Sequence, residues 1–351
     1  MRGAKDGVVR TMLDTMYWSG VYHAMAPKTS GLGVIFMLHR VLPAPPAGAF
    51  APNAALEVTP DFLNATLALV KQRGIDIVDL DEAAARIVSR DGGRFAVFTF
   101  DDGYVDNLDT ALPVFDAHRV PFTIYVTTGL IDGTADIWWL TLEEAIRRLG
   151  TVRTRIGKPK FDLPACTAAE KQAAWDTIYW PLRDLSVAGR REVVMGLADE
   201  AGVKESEIFA AISPGWERLK KSAGNKFLRI GAHTLTHPPL STLTDDAARN
   251  EIVESKRRIE AKIGLPVRHF AYPFGDHGSA GARDFALARE AGFMTAVTTR
   301  RGPIFAVHAE HLHALPRVSL NGNYQAMRYV DLFLSGAPFA LWNRGRQLDV
   351  A

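Results

Sequence analysis

Two short apolar runs end directly on ionisable residues, and that pattern narrows the fold more than any other feature of the chain. Residues 33–38 read GVIFML and run into His39, while residues 95–100 read FAVFTF and run into Asp101 and Asp102. Apolar runs of this length without polar alternation are expected for strands covered on both faces. Further strands are predicted at 75–80, 121–127, 227–231, 267–272, 294–298 and 315–320. Helical periodicity separates many of them. Residues 60–73 place Phe62, Leu63, Leu67 and Val70 on one face after the Thr59-Pro60-Asp61 start signal, and helices follow at 81–89, 108–118, 245–263 and 284–291. Strand and helix in alternation predict an α/β domain with a largely parallel sheet. Chemistry in such folds gathers at the C-terminal ends of strands, where His39, Asp101 and Asp102 fall.

The alternation is interrupted at about 134–225. This stretch opens on Ile137-Trp138-Trp139-Leu140 and carries helical segments at 141–149, 168–185 and 188–201, with a weak strand signal around 151–162. It reads as a mostly helical insertion. The flanks are amphipathic. Residues 1–32 form an N-terminal segment with Val9, Met12, Leu13, Met16, Tyr17 and Val21 at helical spacing, and residues 321–351 form a C-terminal one with Phe333, Leu334, Phe339, Leu341 and Trp342 beside Arg344 and Arg346. Each segment fits a helix packed on the domain, and each also fits an interfacial membrane helix. The main domain is read as 33–320.

Composition excludes several classes. Lys and Arg number 41 against 39 Asp and Glu, a net +2, without the basic run of a nucleic-acid binder. The single cysteine, Cys166, excludes an internal disulfide and a cysteine-rich zinc site. No apolar stretch reaches spanning length, and no leader pattern precedes Lys28. The expectation is a cytoplasmic protein, either free or peripheral at the inner membrane.

Two constellations carry chemistry. Thr99-Phe100-Asp101-Asp102-Gly103 puts two carboxylates at a strand end, where one can bind a metal while the other serves as a base; a helix N-cap with an acidic first turn is the bland alternative. His233-Thr234-Leu235-Thr236-His237 has a spacing that can set two imidazoles on one side of a helical turn, and two surface histidines are its alternative. Together they supply one carboxylate and two imidazoles, a set that leaves positions on a divalent ion open for water and substrate. A metal lowers the pKa of bound water toward ~7, and the free carboxylate can orient and deprotonate that water.

These motifs resemble the polysaccharide deacetylases of carbohydrate esterase family 4, the NodB-homology fold. TFDDG at 99–103, HTLTHPPL at 233–240 and FAYPFG at 270–275 occur in the family's order, and the likeness covers roughly 33–130 and 216–320. The resemblance implies a distorted (β/α) barrel with a helical insertion. It implies Asp101 as catalytic base, Asp102, His233 and His237 as metal ligands, and the Tyr272 N–H as donor to the oxyanion. Pro273 and Phe274 match groove-wall positions. The metal it implies is zinc, with cobalt or nickel as variants, and the substrate it implies is an N-acetylated carbohydrate.

The chain also departs from the pattern. The arginine that tethers the base in many members is missing from FAYPFG, and Arg317 is the candidate replacement from a neighbouring strand. The late Leu-x-His is absent, so the general acid is expected at His39, with His313 as the alternative. Trp138, Trp139 and Trp216 are candidates for sugar stacking, against the commoner use of tryptophan in cores. Two rivals accompany the deacetylase: a deacylase of a lipid-linked sugar at the cytoplasmic membrane face, and a non-enzymatic carbohydrate-binding protein on a decayed barrel.

Overall fold

The computed structural model describes residues 2–350. Seven parallel strands close into a ring in which chain order is also spatial order. They are β1 (Gly33–Leu38), β2 (Phe95–Phe100), β3 (Phe122–Val126), β4 (Leu228–Ala232), β5 (His269–Ala271), β6 (Thr295–Arg301) and β7 (Leu315–Ser319). The seam is β1 on β7, with Phe36 opposite Val318 and Met37 opposite Ser319. An extra two-residue strand, Asp76–Ile77, pairs with the first half of β2, whereas β3 pairs with its last two residues. The expected barrel is therefore present, with seven strands.

The apolar character of β1 and β2 follows from this closure. Side chains of period 2 alternate between the barrel interior and the helical layer. Ile35, Val97, Tyr125, Ala271, Val297 and Leu315 share one cluster, with one residue from each of six strands. Phe36, Phe98, Phe100 and Phe122 belong to the other face, beneath the helices. Phe98 lies 5.1 Å from Phe36, and Phe115 stacks on Phe122 at 4.2 Å. Each fully buried side chain of this kind stabilises the fold by roughly 1.5–3 kcal/mol. Helix starts follow the sequence signals: Thr59 caps Pro60–Gln72 through its side chain, and Thr244 caps Asp245–Ile263.

The insertion carries helices Trp138–Arg148, Ala168–Arg183, Val187–Glu200, Glu205–Ile212 and Trp216–Ala223. The weak strand signal resolves into a hairpin, Thr151–Arg155 against Lys160–Pro164. A core separate from the barrel, with Trp138, Leu142, Trp175, Ile178, Val194 and Leu197, holds much of it together. Each terminal segment is two helices broken at a left-handed glycine, Gly20 with φ 72° and Gly336 with φ 72°. The two segments pack on each other: Thr29 donates to Ser335 O at 2.7 Å, and Arg328 pairs with Asp14 at 2.7 Å. Leu13, Met16 and Tyr22 are buried there, while Val8, Trp18, Val21, Leu341 and Trp342 are exposed. No helix among the described residues is long and apolar enough to cross a membrane.

Candidate active site

A cavity of about 870 Å³ opens at the C-terminal ends of the strands. Its lining takes Met37 and His39 from the end of β1, Asp101 and Asp102 after β2, and His233 and His237 after β4. Phe274 comes from the turn after β5, Thr299 from the end of β6, and Ser319 from the end of β7. The carboxylates and imidazoles of the two motifs, together with His39, thus share one space.

Asp102 Oδ1 lies 3.5 Å from His233 Nε2 and 3.3 Å from His237 Nε2. The ligand atoms of the three residues all fall within 4.8 Å of one another. Asp102 Oδ1 is buried yet makes no hydrogen bond, as does His237 Nδ1. His233 Nδ1 lies 2.7 Å from Ala271 O, and donation to that carbonyl leaves Nε2 a lone pair toward Asp102. Burial pushes the His233 imidazole down to about 4, with the Asp101 carboxylate opposing it, so the ring is neutral at pH 7. A carboxylate oxygen without a bond, facing two ring nitrogens, is a donor set that fits a divalent cation.

Asp101 is only 2 % exposed, and its partner is Arg317 from β7. Arg317 donates from Nη1 to Oδ1 at 2.7 Å and from Nη2 to Oδ2 at 2.6 Å, while its Nε donates to Thr298 O at 2.8 Å. Burial pushes the Asp101 carboxyl up, but the Arg317 guanidinium and then His233 more than reverse this and hold it below the ordinary carboxylate value. The arginine missing from the third motif is therefore replaced in space from the last strand.

The backbone here is unusual. Among the described residues seven non-glycine residues have positive φ, including Asp102 (73°), Thr234 (67°), His237 (68°) and Phe274 (59°). Such conformations cost of order 1–3 kcal/mol each and persist where the surroundings dictate them. The His-x3-His segment is a loop, which corrects the helical-turn reading. Glu251 fastens this loop from helix Asp245–Ile263, accepting from Leu235 N (2.8 Å), Thr236 N (2.9 Å) and Thr236 Oγ1 (2.7 Å). Gly275 has φ 59°, and a Cβ there would meet Thr299 N at 2.7 Å.

Several expectations are corrected by position. The Tyr272 N–H donates to Val297 O at 3.2 Å in the sheet ladder, and the Tyr272 hydroxyl donates to His313 O, so this residue faces away from the cavity. Two residues on, the Phe274 N–H donates to no atom among the described residues, and Phe274 lines the cavity. Pro273 is buried and lies outside the lining. Trp138 is 1 % exposed in the insertion core, and Trp216 donates to Asp132 on the outer surface. Trp139 does line the cavity, with its ring 5.2 Å from His237. His313 precedes β7 and so stands at the opposite end of the barrel, with its Nε2 2.8 Å from Phe293 O. His39 is in the cavity wall.

The structure adds Tyr179, Trp180 and Arg183 from the insertion, and Trp342, Asn343 and Asp349 from the C-terminal segment. Arg183 sits over Trp180 at 5.3 Å and over Phe274 at 5.2 Å. Trp138 and Trp180 therefore separate two roles experimentally. Trp138→Ala is expected to lower unfolding stability by about 3–5 kcal/mol in a denaturant titration. Trp180→Ala, which removes one stacking face, is expected to raise KM several-fold, about 1 kcal/mol, with far less change in the denaturation midpoint.

A family profile described as "Polysaccharide deacetylase" matches residues 89–296, more than half of the chain. No curated protein sequence matches the chain significantly. Among solved structures, the deacetylase PplD of Streptococcus pyogenes, determined with acetate, has a TM-score of 0.57 at 17% identity, covering 86% of this chain and 97% of that one. IcaB from Ammonifex degensii has a TM-score of 0.53 at 16% identity, covering 87% and 97%. The polysaccharide deacetylase BC0361 of Bacillus cereus has 0.54 at 15% identity, covering 86% and 68%.

Proposed function

Because this chain belongs to the polysaccharide deacetylase family, we propose that it hydrolyses the N-acetyl amide of an amino sugar within a poly- or oligosaccharide and releases acetate. The observation that carries this reading is the pairing of two units on one cavity floor: a buried carboxylate clamped by Arg317, and a three-residue cation site beside it.

Asp102, His233 and His237 would hold the metal, with zinc the best match to one carboxylate and two imidazoles, and cobalt or nickel as alternatives. Bound there, the metal supplies Lewis acidity at the acyl oxygen and acidifies water. Asp101 is held ionised and oriented by Arg317, so it accepts the proton of the attacking water. The Phe274 N–H, without a partner among the described residues and on a residue that lines the cavity, is the backbone donor for charge developing on the acyl oxygen, in place of Tyr272. His39, on the wall beside both carboxylates, protonates the departing amine. Trp139, Trp180 and Trp342 offer apolar faces to sugar rings.

The test is acetate release from acetylated amino-sugar oligomers by metal-loaded protein, with and without a chelator. Chelation is expected to abolish release, and added zinc to restore it. His39→Asn is expected to slow amide hydrolysis by about 10²-fold. The loss should shrink on an aryl acetate, whose leaving group departs without a proton. An equal loss on amide and ester would remove His39 from the acid role, and activity indifferent to chelation would remove the metal. The intact set of Asp101, Asp102, His233 and His237 disfavours a decayed, non-enzymatic barrel.

A further inference from the structure

A second, smaller cavity of about 120 Å³ adjoins the catalytic one and shares Arg301, Asn343 and Asp349 with it. Its remaining charged lining is Lys28 from helix Val21–Thr29 and Arg346 from the C-terminal segment. Lys28, Arg301 and Arg346 form no ion pair among the described residues. The one acid, Asp349, is already paired through Oδ1 with His277 at 2.7 Å. Three positive charges thus face one carboxylate, in a chain whose whole net charge is only +2. His308 adds no charge at pH 7, because burial pushes its imidazole down to about 4.

Arg300 deepens the imbalance from the catalytic side. It is 3 % exposed, donates to the carbonyls of Asp349 (2.9 Å) and Ala280 (3.0 Å), and leaves Nε without a partner. Its hydrogen bonds go to carbonyls, and the carboxylates of Asp349 and Asp276 act on it only through space. The Arg301 guanidinium lies over the Trp342 ring, 4.3 Å from its centroid, and both residues line the catalytic cavity. Clustered cations without acid partners repel one another and create a potential that draws anions. Guanidinium forks match phosphoryl oxygens, and several donors converging from different elements suit a group with three or four acceptor oxygens.

We propose that this cavity is the subsite for a phosphoryl anion carried by the substrate, so that the substrate is an N-acetylated amino sugar bearing a phosphate or phosphodiester close to the acetamide. The inference rests on the deacetylase reading for what occupies the catalytic cavity. The anion subsite itself can be measured without turnover.

The test uses the full chain after treatment with a chelator, so that phosphate has no metal to bind. Inorganic phosphate is titrated calorimetrically into the unaltered protein, into Arg301→Gln/Arg346→Gln, and into Lys28→Gln, with thermal melts to verify folding. Saturable binding is expected at low salt, weakened about tenfold or more in the double variant and several-fold in Lys28→Gln. Equal phosphate binding in all three proteins overturns the proposal. So does glucuronate binding as tightly as phosphate, since that identifies a carboxylate subsite. In a parallel assay with metal-loaded protein, an acetylated amino sugar carrying a phosphate is expected to show a lower KM than its neutral parent, and the double variant is expected to lose that preference. If no acetylated substrate releases acetate while phosphate still binds the basic cavity, the deacetylase reading falls and the anion site stands.

Discussion

Replacing Asp101 with Asn is expected to lower kcat/KM by about 10²–10⁴-fold while leaving bound metal unchanged. Asp101 is not among the three groups whose ligand atoms converge, so stoichiometric zinc should be retained on purification, as measured by elemental analysis. What the substitution removes is the proton acceptor of the proposed reaction. It also puts an amide NH₂ opposite one nitrogen of the Arg317 fork, so one of the two charge-assisted bonds becomes a donor–donor contact. The split between retained metal and lost turnover distinguishes a base from a ligand. If turnover fell only in step with the folded fraction, Asp101 would be a structural anchor for Arg317 and the proposed chemistry would need another base.

The second large effect is on stability. Arg317→Met leaves a carboxylate that is 2 % exposed with no compensating cation on the last strand, and breaking such a buried pair costs about 3–5 kcal/mol. The pH dependence should change sign. In the unaltered protein the folded-state pKa of Asp101 is depressed, so its contribution is present above the ordinary carboxylate pKa and is lost as pH falls through the folded value. Without Arg317, burial acts unopposed by its largest counterweight and pushes the folded pKa up. The penalty then grows as pH rises above the ordinary carboxylate pKa. The double variant Asp101→Asn/Arg317→Met removes the uncompensated charge and should recover much of the loss, a coupling that a double-mutant cycle reads directly. Additive single losses would mean that the two side chains do not stabilise each other.

Much of the scaffold was legible because β1 and β2 are apolar runs with ionisable residues directly beyond them. FAVFTF delivering Asp101 and Asp102 needs no tertiary knowledge, and Arg317 could be anticipated from its strand once the third motif was seen to lack an arginine. What failed depended on phase. Residues 272–274 are three consecutive positions, and the motif alone does not show that the ladder still engages Tyr272 while a left-handed turn frees the Phe274 N–H. Trp138 and Trp139 are neighbours on one helix, about 100° apart. Which one meets the cavity is decided by how the insertion packs, not by its period. Glu251, Trp180 and Asp349 reach the site from distant segments with no local signature, because only the fold makes them neighbours.

The seam between first and last strand has a kinetic consequence. Phe36 meets Val318 across 282 positions of chain (318 minus 36), so β1 and β6 keep an unpaired edge until β7 arrives. Closing such a separation adds little to the equilibrium ledger, since loop entropy grows only logarithmically, but contacts this remote slow folding. During synthesis the open sheet would present two apolar edges, the kind of template on which chains pair with one another. Refolding of this protein should therefore be limited by ring closure, and yield should fall with rising protein concentration well before native stability becomes the constraint.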